Sequence, residues 1–136
     1  MKKKLENLEN KTLKLYQYIT TVLNIPETPK ICIKLKKVES PNTLGDYSFV
    51  NKTINIYLLP IITHSQSVVS LLLHELGHHM SYMSIDHKKL LTMPTKKREK
   101  LAEKFVNLYY KLFEKEDKEI TKLIEEIISI AKKGVK

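Results

Sequence analysis

The sequence predicts an α+β fold. A small mixed sheet of about three strands carries an N-terminal helix, a helix bearing the motif HELGHH, a downstream glutamate helix and a C-terminal helix. Three observations lead there. Apolar residues recur at helical spacing over residues 4–23, 64–84 and most of 95–130. Between the first two of these stretches lie segments with the two-residue alternation of half-buried strands. No internal repeat or low-complexity linker interrupts the 136 residues, so one domain spanning 1–136 is expected, with a single core.

The elements follow in order. Leu5, Leu8, Leu15, Ile19, Val22 and Leu23 share one broad stripe of a first helix, which Pro26 and Pro29 stop. Ile31, Ile33 and Leu35 alternate with Cys32, Lys34 and Lys36 as a strand, with Cys32 expected to be a small buried hydrophobe. DYSFVNKTINIYLL reads as a hairpin. Tyr47 and Phe49 lie on one arm, Ile54, Ile56 and Leu58 on the other, Asn51-Lys52 form the turn, and Pro60 ends the second arm. Thr63 and Gln66 have capping-box spacing ahead of the helix over 64–84. Residues 86–94 read as a loop. One long helix or two follows from Thr95, with a break expected near Glu116 and Asp117.

Composition narrows the function. Hydrophobic residues make up 42% and charged residues 29%, the balance of a soluble globular chain and not of a disordered one. The lone cysteine allows no internal disulfide, and the N-terminus lacks the continuous apolar run of a signal peptide. The longest apolar runs are too short to cross a bilayer, so a cytoplasmic protein with no membrane partner is expected. The net charge of +9 invites a nucleic-acid reading. Against it, Arg98 is the only arginine, and lysines alternate with glutamates as on solvated helix faces, so nucleic acid is the disfavoured partner.

The chemistry lies in LLLHELGHHMSYM, where polar groups interrupt an apolar helix and would cost free energy unless satisfied. His74-Glu75-Leu76-Gly77-His78 is an HExxH motif. Residues four apart on a helix lie on one face, so both imidazoles reach a single ion. Glu75 is rotated by about 100° from His74, beside the ion, where its carboxylate can activate a zinc-bound water as general base. Chance produces this string in on the order of a few chains per thousand of this length, and its place on an apolar helix after a strand weighs further against coincidence. His79 is out of register with both ligands; it is expected at the rim, the alternative being that it orients Glu75.

A catalytic zinc takes three protein ligands and keeps one position open. Candidates for the third are Asp86, His87, Glu99 and Glu103. Position 84 is Ser, which excludes the longer pattern HExxHxxGxxH. Glu99 is preferred over Glu103 and His87, because Ala102 one turn later lets its helix approach the metal helix closely.

HELGHH followed by E-x-x-A-x-x-F over residues 99–105 resembles the gluzincin metallopeptidases. The order of elements is most similar to the single-domain minigluzincins and to the core of ImmA/IrrE-type peptidases, over residues 45–105. The resemblance implies one zinc ion on His74, His78 and Glu99, with Glu75 as general base. The reaction implied is hydrolysis of a peptide or protein substrate lying along an edge strand, expected at residues 53–59. Tyr82, His87, Tyr109 and Tyr110 are candidates to bind substrate or the oxyanion. Some small members of this class are latent, held inactive by a terminal segment crossing the cleft; residues 2–10 and 132–136 are the segments that could do so here. A monomer or homodimer is expected. The alternatives are a non-catalytic metal-binding or regulatory protein, acting on nucleic acid through its +9 charge, and a zinc-stabilised structural domain.

Overall fold

Helix α1 (Lys2–Val22) buries Leu8, Thr12, Leu15, Tyr16 and Ile19, the stripe that helical spacing dictates. Thr12 lies in this apolar face because its hydroxyl donates to the Leu8 carbonyl at 2.8 Å. Asn24, at φ 51°, turns the chain after the helix. Tyr16 then holds the following loop by donating to the Pro29 carbonyl at 2.6 Å. The computed structural model describes residues 2–36, 43–64, 67–85 and 87–133.

Three strands form one mixed sheet: β1 (Lys30–Lys34), β2 (Gly45–Ser48) and β3 (Thr53–Tyr57), in the order β1-β3-β2. β1 runs parallel to β3, with Ile31 opposite Ile54 and Ile33 opposite Ile56. β2 runs antiparallel to β3, with Tyr47 opposite Ile54. The central strand is therefore β3, and residues 53–59 are not an edge. The free edge beside the motif helix is β2. The hairpin is also shorter than expected: residues 49–52 form the turn, with Lys52 at positive φ (47°). Ile54 and Ile56 face the core, whereas Cys32 lies on the opposite face of the sheet and is exposed, contrary to its expected burial.

The helix expected over 64–84 starts at Val68, and a second, short helix stands ahead of it where the hairpin arm was expected to run on through Leu58. The chain enters α2 (Leu58–His64) directly from β3, and Pro60 sits in its first turn, where backbone N–H groups lack intrahelical partners in any case. α3 (Val68–Ser84) starts at Ser67, whose hydroxyl accepts from the Ser70 N–H at 3.1 Å. Ser67, not Thr63, is the cap; Gln66 lies outside the described residues. The Asp117 carboxylate reaches the same helix end, accepting from the Ser67 hydroxyl (2.9 Å) and the Val69 N–H (3.4 Å). A buried negative charge there opposes the positive end of the helix dipole.

Residues 87–92 are helical as α4 (His87–Thr92), where a loop was expected. α5 (Thr95–Tyr109) and α6 (Glu114–Lys133) are separated by a 3-10 turn (Tyr110–Phe113), so the break precedes Glu116. The turn plants Phe113 in the core, fully buried. Leu72, Leu73 and Leu76 of α3 join Ile54, Ile56, Ile61 and Phe113 in one apolar cluster, with α1 and α6 closing it. No helix among the described residues is long and apolar enough to cross a membrane.

Candidate metal and catalytic site

The site is built on α3 and completed by α5. Gly77 and Ala102 bring the two helices together: a methyl group on Gly77 would lie 2.9 Å from Ala102 Cα. At that approach, residues one turn before Ala102 stand beside His74 and His78. The outcome is a cleft of about 530 Å³, with β2 on one side, α3 as its floor and α4–α5 on the other side.

In that cleft two imidazoles and one carboxylate converge. His74 Nε2 and His78 Nε2 are 3.2 Å apart. Glu99 spans both, with Oε2 at 2.7 Å from His74 Nε2 and Oε1 at 3.4 Å from His78 Nε2. Ligands about 2.0–2.1 Å from a tetrahedral zinc stand roughly 3.3 Å from one another. The observed separations bracket that value, so the donor set fits zinc in both chemistry and spacing. Ligand atoms of His74, Glu75 and His78 also lie within 4.8 Å of one another, and spacing alone would admit Glu75 as third ligand. The shorter contacts of Glu99 to both imidazoles favour Glu99.

Glu103, read from the sequence as a rival ligand, does something else. Its Oε1 lies 2.9 Å from His74 Nδ1. Nδ1–H donates there, which leaves the Nε2 lone pair of the same ring for a cation. An Nε2 lone pair 2.7 Å from a carboxylate oxygen repels it unless a proton or cation lies between them, so the geometry calls for one or the other at that point.

Glu75 is 4% exposed. Burial raises its pKa to about 7; the His74 imidazole opposes that rise, and the carboxylates of Asp46 and Glu99 add to it. A carboxyl group tuned near neutrality both takes and returns a proton at physiological pH. Burial pushes His78 the other way, below the usual histidine range, which favours the neutral ligand form.

The remaining residues separate clearly. Tyr82 lines the cleft, stacked on Phe49 with ring centroids 5.7 Å apart. Tyr109 does not line it and packs edge-on against Phe105. Tyr110 donates its hydroxyl to Asp117 at the far end of α3, so neither of these tyrosines serves the cleft. His87 opens α4, and its side chain, like Asp86, lies outside the described residues. His79 is fully buried and not at the rim. Its Nε2–H donates to the Pro26 carbonyl (2.8 Å) and its Nδ1 accepts from the Tyr47 hydroxyl (2.7 Å), which ties β2 to α3 and leaves Glu75 alone. Residues 2–10 pack as the first turns of α1, where Lys4 pairs with Glu126 at 2.9 Å; neither they nor Lys132 and Lys133 line the cleft. Residues 134–136 lie outside the described residues.

Two parts of the site escaped sequence reasoning. One is the β2 edge. The Tyr57 N–H bonds the Leu44 carbonyl at 3.0 Å, so by alternation the backbone groups of Gly45 and Tyr47 point away from β3. The other is Arg98, noted from the sequence only as the single arginine; its position immediately before Glu99 was the available signal. No family model, curated protein or solved structure matches the chain.

Proposed function

We propose that the chain is a zinc-dependent peptidase in which His74, His78 and Glu99 hold the ion and Glu75 is the general base. The observation that carries this reading is the convergence of Glu99 on both imidazole Nε2 atoms, beside a buried carboxyl group with a pKa of about 7. Bound there, zinc supplies a Lewis acid for a peptide carbonyl and lowers the pKa of water.

The chain's own groups account for the rest. An extended peptide pairs with the outward backbone groups of Gly45 and Tyr47, which hold its scissile bond over the α3 floor. Ionised Glu75 takes a proton from the attacking water and returns it to the departing amide nitrogen, so one carboxylate serves both halves of the hydrolysis. Glu103 keeps His74 in one tautomer throughout. Tyr82, which lines the cleft, is the candidate donor to the tetrahedral oxyanion.

The test is cleavage of an unfolded protein by the zinc-loaded chain beside Glu75→Gln. Loss of general base catalysis is expected to lower the rate by about 10²–10⁴-fold with zinc still bound. Zinc retained by wild type without any cleavage would favour a non-catalytic metal-binding protein instead.

A further inference from the structure

We propose that Arg98 determines specificity by seating a substrate carboxylate, from an aspartate or glutamate side chain or a chain terminus, beside the catalytic centre. The nature of the substrate rests on the peptidase reading; the binding itself is tested apart from it.

Arg98 lines the same cleft as His74, Glu75, His78 and Glu99. Thr95, one turn earlier, holds one end of the guanidinium, accepting from Nη2 at 3.1 Å. Nε is shielded from solvent and has no hydrogen-bond partner among the described residues. A buried donor on a permanently charged group is costly to leave unpaired. Nε is closed to solvent, so an acceptor in the cleft that Arg98 lines reaches it only as the side chain turns outward. The two acids on its helix do not supply one, because Glu99 turns to His74 at 2.7 Å and Glu103 to His74 at 2.9 Å.

Charge points the same way. α5 also carries Lys96, Lys97, Lys100 and Lys104, which stand outside the cleft lining and raise the potential around it, while the two acids of the helix are turned to histidine. A guanidinium fork matches the two oxygens of a carboxylate in a way that lysine cannot. It also matches phosphate, but Asp46 and Glu75 share the cleft and penalise a dianion more than a monoanion. Leu90 and Leu91 line the α4 side and offer apolar contact to the methylenes that carry an acid.

The single arginine gives one Nε–H resonance in isotope-labelled protein. Zinc-loaded Glu75→Gln, which spares the probe from cleavage, is titrated with three short acetylated peptides. One carries a central glutamate and an amidated end, one a central glutamine and an amidated end, and one a central glutamine and a free C-terminal carboxylate. At least one acidic peptide is expected to move the Arg98 resonance saturably and to bind about 10-fold or more tighter than the neutral one, and which of the two does so identifies the source of the carboxylate. Adding Arg98→Gln should abolish the preference while zinc stays bound. No movement with either acid, or a preference that persists without Arg98, overturns the proposal. Absence of cleavage by wild type would instead strike the peptidase reading and leave this result standing.

Discussion

Gly77 and Ala102 meet backbone to backbone, and this contact lets a glutamate on α5 reach two histidines on α3. A methyl on Gly77 would lie 2.9 Å from Ala102 Cα and 3.0 Å from both its carbonyl oxygen and Phe105 Cβ. In an ordinary exposed helix Gly→Ala stabilises by about 1 kcal/mol. Here the sign should reverse. Overpacking against rigid backbone is expected to cost about 1–3 kcal/mol and to lift Glu99 from the histidines. Urea unfolding of Gly77→Ala, with a zinc titration alongside, would show both losses; a more stable variant with unchanged zinc affinity would show that the close approach is dispensable.

Glu103 acts through His74. Glu103→Gln is expected to weaken zinc binding by about 10–100-fold without removing it, as for other groups that orient a ligating imidazole. Competition with a chelator of known affinity measures this. A loss as complete as that of His74→Ala would make Glu103 a ligand after all.

Glu75 links stability to pH in the metal-free protein. Folded Glu75 keeps its proton up to about 7, whereas the unfolded chain releases it near 4.5. Between those values the folded state binds more protons, so stability falls as pH rises through the window. The contribution approaches roughly 3 kcal/mol above it, to order of magnitude. Glu75→Gln should remove that slope between about pH 5 and pH 8, and bound zinc should reduce it in wild type by favouring the carboxylate. Parallel stability profiles for wild type and variant would contradict the assignment.

Asp117 stabilises a helix fifty residues before it in the chain. Asp117→Ala leaves the Ser67 hydroxyl and the Val69 N–H without their buried acceptor and is expected to cost about 1–3 kcal/mol. Thermal unfolding should show it, with zinc stoichiometry unchanged because the cap lies at the end of α3 remote from His78.

What could be read in the sequence was what is local. His74 and His78 share a face because helical spacing alone puts them there. Glu99 was reachable because a small residue, Ala102, sat one turn beyond it. The features that were not legible depend on partners far along the chain. Alternation marks Ile31 and Ile33 as a strand, but nothing in that pattern makes β1 pair with β3 and push β2 to the edge. The same alternation separates Cys32 from its neighbours without saying which face meets water. Pro60 read as a stop because its tolerance in a helix depends on lying in the first turn. The capping-box spacing at Thr63 was outweighed by Ser67, which gains a buried acid from α6. His79 read as a rim histidine because nothing local shows that its two ring nitrogens meet Pro26 and Tyr47, far along the chain.

The most direct test of the metal centre is zinc binding followed by X-ray absorption at the zinc edge. Wild type is expected to bind one equivalent through two imidazole nitrogens and one carboxylate at about 2.0–2.1 Å, and Glu99→Ala to lose the carboxylate and most of the affinity. Undiminished binding by Glu99→Ala, or a wild-type chain that takes up no zinc, would contradict it.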